Sequence, residues 1–355
     1  MKFSFVFIAP FLLLYCSKDQ SSSNQFLRCD EEIIKYEIIL DNPIEVDLSK
    51  IHKLYLKNGN LFFSLLGMNP KAIIYNTSKK EFSSVGKSGR GPFEFIAVTT
   101  IINDDKLYFY DGWQYKFAAY DLIKEKFITE KSLDEKLNSS GIFKHAGSNE
   151  LFMVWMQRKG DDIINNIISF NYDFAIKDTL YRWVDNSYIR FRESTFEYAS
   201  QFPLFKNKFL EFTEEGELLI FNNETFSYRT LDEGQSEVEI NYDYAPDYNF
   251  YIDQRRNSNK EFNESSGLIN FNKALENNDQ EFVAKYSDVL TGGGKILFTL
   301  FAKRKNAYLL ANRSTGETNV ICSDTNYKPV LIHQDSIYWV THEDRMYYRL
   351  IKSEL

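Results

Sequence analysis

Four histidines, His52, His145, His333 and His342, are all the imidazole that this 355-residue chain carries. Imidazole is the side chain best suited to move protons near neutral pH or to ligate zinc. None of the four stands at the spacing of an H-E-x-x-H helix or of a paired zinc site. His145 and His333 fall in strands predicted to line the middle of the fold. There they either meet a central channel, where a general base or a metal would sit, or fill the interior through hydrogen bonds. The acidic pairs Asp104-Asp105 and Asp161-Asp162, with Asp243, lie in predicted turns and do not reproduce a calcium-loop spacing. No G-x-S-x-G elbow occurs, and Ser88-Gly89 and Ser140-Gly141 are turns by context. These residues assign no catalytic group, no metal ligand and no cofactor.

One segment is dense enough in special residues to be a motif: Gly86-Lys87-Ser88-Gly89-Arg90-Gly91-Pro92-Phe93-Glu94-Phe95. Its glycines permit positive φ and Pro92 fixes its own, so it is expected to form a defined tight connection. It is not a phosphate-binding loop, because no Gly-Lys-Ser/Thr follows a four-residue gap and strands, not a helix, flank it. Two readings remain for its charged members. Arg90 and Glu94 either satisfy backbone groups and each other, or form part of a ligand rim.

The elements that must position these residues repeat along the chain. Short hydrophobic strands follow polar turns at Leu61, Leu107, Leu151, Leu218, Ile296 and Ile337, with spacings of 46, 44, 67, 78 and 41 residues. A period in the forties with strand-turn-strand texture is the mark of a β-propeller blade, and six such units predict an all-β, six-bladed β-propeller. The final unit has only three predicted strands, Val330 to His333, Ile337 to Thr341 and Met346 to Ile351. An unassigned strand, Glu32 to Leu40, lies ahead of the first unit. Pairing the two closes the ring and removes two exposed sheet edges. The long spacings place insertions near 171–203, carrying Arg182, Trp183, Tyr188, Arg190, Phe191 and Arg192, and near 245–282, with apolar residues at helical spacing after a polar stretch. Long excursions of this kind are usual sites of function, and also pack as caps on a scaffold.

Composition excludes one class of partner. A formal charge of −8 is the wrong sign for neutralising phosphates, so no nucleic acid is expected. The start, Met1-Lys2 followed by an apolar run from Phe3 to Tyr15, is too short to span a bilayer and has the length of a signal-peptide core. Leu13-Leu14-Tyr15-Cys16 with the polar run after it resembles a bacterial lipoprotein signal, implying lipid attachment at Cys16 and a polar tether over 17–30. An ordinary secretory peptide or an uncleaved anchor is the alternative. Export leaves Cys29 and Cys322 as two cysteines that either form a disulfide or stand apart.

The motif with Gly89-Arg90-Gly91-Pro92-Phe93-Glu94-Phe95 resembles the G-x-G-x-GP-x-EF signature of the TolB-like six-bladed β-propeller lipoproteins of Bacteroidetes. The likeness extends to the lipoprotein start and to the motif's place at the first blade boundary; Phe93 stands where many relatives have glycine. It implies a propeller over 31–355, anchored to the outer membrane by lipid alone. The expected function is noncatalytic: a monomer whose propeller face binds an envelope protein, peptide or glycan. Candidate binding residues are Arg90, Glu94, Trp183, Tyr188, Arg190 and Arg192. The alternative is a hydrolase or lyase with a central-channel site.

Overall fold

The computed structural model describes residues 31–32, 36–65, 70–96, 98–103, 105–132, 139–144, 150–160, 162–171, 176–185, 187–193, 196–213, 217–231, 237–260, 266–277, 282–302, 306–323, 325, 327–344 and 347–355. The leader, the tether, Cys16, Cys29 and His145 lie outside the described residues.

Two short strands come first, β1 (Glu31–Glu32) and β2 (Glu37–Asp41). The first blade is β3 (Ile51–Lys57), β4 (Asn60–Leu65), β5 (Ala72–Asn76) and β6 (Glu81–Val85). A two-stranded parallel clip, β7 (Lys87–Ser88) with β8 (Glu94–Phe95), leads to the second, β9 (Val98–Asn103), β10 (Lys106–Asp111), β11 (Lys116–Asp121) and β12 (Lys126–Ser132). The third is β13 (Ser139–Lys144), β14 (Glu150–Lys159), β15 (Asp162–Asn171) and β16 (Ile176–Val184). A separate hairpin, β17 (Tyr188–Glu193) and β18 (Phe196–Gln201), precedes the fourth, β19 (Lys208–Phe212), β20 (Leu218–Asn222), β21 (Ser227–Thr230) and β22 (Val238–Glu239). Helices α1 (Tyr248–Lys260) and α2 (Ser266–Asn277) come before the fifth, β23 (Tyr286–Gly292), β24 (Lys295–Leu300), β25 (Asn306–Asn312) and β26 (Thr318–Ser323). The sixth is β27 (Tyr327–His333), β28 (Ser336–Asp344) and β29 (Tyr347–Glu354).

The repeating apolar runs are the second strand of each blade. Leu61–Leu65, Leu107–Asp111 and Leu218–Phe221 are buried at every position, because a blade is covered on both faces by its neighbours, and a strand covered twice reads as a continuous apolar run. Outer strands such as β12 (KFITEKS) have only one face to cover and are mostly exposed. Each of the six seams between blades holds its own apolar cluster. The seam between the sixth and first joins Val330, Tyr338 and Leu350 to Leu54, Leu61 and Phe63.

The ring closes as predicted, with a refinement. β2 pairs antiparallel with β29 as the outer strand of the sixth blade. The predicted Glu32 to Leu40 strand is divided: β1 instead pairs in parallel with β26 on the edge of the fifth blade, Glu31 opposite Ile321 and Glu32 opposite Cys322. The 171–203 excursion is also smaller than its spacing suggests, since 176–184 is the regular outer strand of the third blade and only the hairpin leaves the ring.

Candidate functional site

An antiparallel four-strand meander returns the chain to the face from which its inner strand departs. Connections from one blade's outer strand to the next blade's inner strand therefore share one face of the ring. The clip at 87–95, the hairpin at 188–201 and the helix pair at 248–277 are all connections of that kind, so they crowd one face and leave the other to short turns.

The helix pair is bound to this face by tyrosines. Tyr244 Oη donates to Phe301 O at 2.6 Å, Tyr248 Oη to Ala284 O at 2.9 Å, and Asp247 N to Phe301 O at 2.8 Å. Burial pushes the Tyr248 phenol up to about 12, so it remains a donor at any physiological pH. Phe271 and Ala274 of α2 pack with Phe202, Leu204 and Phe205, while Arg256 Nε reaches Asn272 Oδ1 at 3.2 Å and ties the two helices together.

Beneath α1, in the cleft between the fifth and sixth blades, lies a cavity of about 530 Å³. Aromatic rings of Phe250, Tyr251, Phe301, Tyr308 and Tyr327 wall it, and Ser287, Thr299, Asn306, Asp288, Lys328 and Arg255 supply its polar groups. Tyr251 meets Phe301 edge-on with centroids 5.0 Å apart, and Tyr308 meets Trp339 at 4.9 Å. The Tyr308 hydroxyl donates to Tyr327 O, which holds the wall in place. A volume of this order with aromatic walls and a few polar groups fits a small ligand or the end of a chain.

Asp288 and Lys328 belong equally to the mouth of the central channel. They come from the first turns of the inner strands β23 and β27, and Lys206 joins them from just before β19. Lys328 Nζ donates to Ile51 O at 3.2 Å, and Lys206 Nζ lies 3.9 Å from the centroid of the Phe209 ring. Deeper in the channel, Lys53 of the first blade reaches Glu211 of the diametrically opposite fourth at 3.3 Å. That ion pair crosses the channel. Tyr55 of β3 braces the wall beside it by donating to Thr100 O at 2.9 Å.

Enclosure perturbs these groups even though several touch solvent within the opening. Burial raises the Asp288 carboxyl above its usual range, against the pull of Lys206, Lys328 and Lys53. Burial also lowers the ammonium groups of Lys206 and Lys328. Burial opposes the Lys53 charge as well, but Glu211, with smaller help from Tyr55 and Asp288, outweighs it and leaves that ammonium above its ordinary value.

The structure does not bring the sequence-predicted residues together. Arg90 is exposed on the clip, while Glu94 folds back so that its carboxylate accepts from Gly91 N at 2.8 Å. A Cβ on Gly89 would come within 2.1 Å of that carboxylate, which is why glycine stands there. Phe93 adopts φ +54, a conformation natural to glycine. The clip is held from the second blade, Gln114 Nε2 donating to Gly89 O at 3.0 Å and Lys116 Nζ to Gly91 O at 3.0 Å. Arg182 and Trp183 sit on the outer strand of the third blade, Arg182 Nε on Asn166 Oδ1 at 2.7 Å and Trp183 stacked with Tyr181 at 5.6 Å. Tyr188, Arg190 and Arg192 lie on β17 of the hairpin. His333 ends the inner strand of the sixth blade opposite Ser336, at the turn away from the pocket face. Among the described residues, no three His, Cys, Asp or Glu side chains gather as a metal set. Cys322 is buried in β26 and disulfide-bonded.

Sequence reading missed Lys53, Lys206, Glu211, Asp288 and Lys328. Their common feature is a charge in, or just before, the first strand of a blade, the strand that lines the channel.

No protein-family model matches this chain, and no curated protein does. No helix among the described residues is long and apolar enough to cross a membrane. Solved structures match it over most of its length. The crystal structure of a candidate exported protein from Bacteroides fragilis aligns with a TM-score of 0.51 at 10% identity, covering 91% of this chain and 96% of that one. The WD40 repeats of RRP9 align with a TM-score of 0.50 at 7% identity over 89% of this chain and 99% of theirs. At these identities the likeness speaks to fold alone, and the chain is an all-β, six-bladed β-propeller.

Proposed function

We propose that this chain is a noncatalytic binding propeller of the cell envelope, of the TolB-like lipoprotein kind, tethered to the outer membrane through a lipid on Cys16. Its ligand is a protein, peptide or glycan, engaged at the face that carries the clip, hairpin and helix pair. The observation that carries this reading is the aromatic cavity of about 530 Å³ beneath α1, open on the one face where every long excursion gathers. Such concave, largely apolar sites with a few convergent polar groups are the usual form of a ligand pocket.

The test is a screen of the full chain against arrays of envelope glycans and peptides, repeated with Ser49→Trp. Ser49 is exposed and lines the cavity, so the new ring blocks the opening without entering the core. Binding that disappears with this variant is the expected result. A ligand bound equally well by both proteins would place recognition elsewhere and end the pocket reading.

A hydrolase or lyase reading draws on the perturbed Asp288, Lys206 and Lys328, since shifted ionisable groups often mark active sites. Chemical conversion of the bound ligand, followed by mass spectrometry, would favour it. We also propose that Cys29 is the disulfide partner of Cys322. The support is that Cys322 is disulfide-bonded and that β1, which begins two residues after Cys29, pairs with β26 at Cys322.

A further inference from the structure

The mouth of the channel holds charges that the fold does not use. Among the described residues, the Lys206 ammonium makes no hydrogen bond or ion pair and meets only the face of Phe209. Among the described residues, the Asp288 carboxylate accepts only from its neighbour's amide, Val289 N, at 2.9 Å. Lys328 donates to one backbone carbonyl, Ile51 O. Opposite charges therefore stand around one opening, Asp288 and Lys328 exposed to it and Lys206 half-buried, without closing an ion pair among themselves. Charges left without an opposite partner at an opening are available for charge-assisted hydrogen bonds to a ligand that carries complementary groups.

The pattern narrows what the ligand must carry. Lys53 and Glu211 neutralise each other, so Lys206, Lys328 and the cavity's Arg255 against Asp288 and the Asp185 that faces Lys206 leave a single excess positive charge at the mouth. A monoanion balances it, whereas a phosphate dianion overshoots and meets the Asp288 carboxylate. An ionised carboxylate has only acceptors to offer, so the group that faces Asp288 must donate. Beside these charges the rings of Tyr251, Phe301 and Tyr308 present flat apolar surface for the body of the ligand.

We propose that this vestibule and the adjoining cavity take a small ligand end that bears a carboxylate flanked by hydrogen-bond donors. The carboxylate lies at Lys328 with Lys206 supplying the second cation, and the donors face Asp288. The proposal rests on the pocket reading above and names its chemistry. Two sources present that chemistry, an acidic sugar of a glycan and the free C-terminus of a peptide.

Isothermal titration of the full chain in detergent tests it with four probes: D-glucuronic acid, D-glucose, a tripeptide free acid ending in phenylalanine, and the same tripeptide as its amide. One acid should bind about tenfold or more tightly than its neutral counterpart. Lys206→Gln and Lys328→Gln should each weaken that acid by about tenfold while leaving the neutral probe unchanged. Lys79→Gln, exposed on the opposite face, serves as the control, and unchanged melting temperatures establish that the variants are folded. Preference for glucuronate assigns the glycan source, and preference for the peptide acid assigns the other. Equal affinity for acid and neutral probes, or insensitivity to both lysine variants, overturns carboxylate recognition. It leaves the pocket reading standing if Ser49→Trp still abolishes binding. Failure of both acids to bind overturns the proposal, as does tighter binding of inorganic phosphate that depends on Lys206.

Discussion

Asp288 sits on the channel wall where the surrounding protein raises its carboxyl above the ordinary value of 3.8, burial being the largest cause and three lysines only partly offsetting it. A carboxyl whose native pKa exceeds its unfolded pKa holds its proton longer when folded. Its favourable contribution is therefore complete below the unfolded value and is lost as pH rises through the raised native one. Asp288→Asn removes that dependence. Urea midpoints measured across a pH series should show the wild type losing stability relative to the variant as pH rises from near 3.8, with the difference levelling off above the native pKa. Parallel midpoint curves for the two proteins would mean that the channel solvates Asp288 as fully as bulk water does.

The clip between the first two blades shows how an element is held by one carboxylate. Glu94 folds over Gly89 and Gly91, and the Gly89 backbone sits at φ +151, where a side chain is strained irrespective of space. Gly89→Ala should cost about 2 kcal/mol or more, from backbone strain together with the clash. In a Glu94→Ala background the clash with the carboxylate is gone, leaving the strain and a tight 3.2 Å approach to the Cβ of residue 94, so thermal unfolding of the double-mutant cycle should give a coupling of about 1 kcal/mol. Additive effects would show that Glu94 moves aside freely. The clip's tightness was legible in its glycines and proline, as were the second strands, because burial on both faces leaves an uninterrupted apolar run such as LFFSL or LYFYD. Strand β16 was not legible: Lys177, Asp178, Thr179 and Leu180 are all exposed on an outer edge, and such a strand has a loop's composition. Nor were the channel charges, because a single Lys or Asp in an alternating strand reads as facing outer solvent until the ring shows that the inward direction is also wet.

At the scale of the whole molecule, stability depends on closure, since each blade is covered only by its neighbours. Two attachments near the start of the described chain serve it. β2 completes the sixth blade, with Leu40 buried in the seam to the first and Asp41 accepting from Arg349 Nε at 2.8 Å and Tyr347 Oη at 2.8 Å. β1 lies on the fifth blade beside the disulfide-bonded Cys322. The two differ in what they bury. Leu40 fills a seam, so Leu40→Ala should cost about 2–4 kcal/mol. β1 is a strand of only two residues, and the proposed Cys29–Cys322 bond would act mainly by restricting the unfolded chain. Peptide mapping without reductant should recover one peptide pair joining Cys29 to Cys322. Reduction should then lower the urea midpoint while leaving ligand binding intact, because the bond lies at the outer edge of the fifth blade and the pocket lines its inner strands. Leu40→Ala acts on the seam that also carries Leu48 and Val340 of the cavity wall, so it should weaken binding as well as stability. A midpoint unchanged by Leu40→Ala would mean that the ring holds without its closing strand, and the circular argument for six blades as one cooperative body would fail.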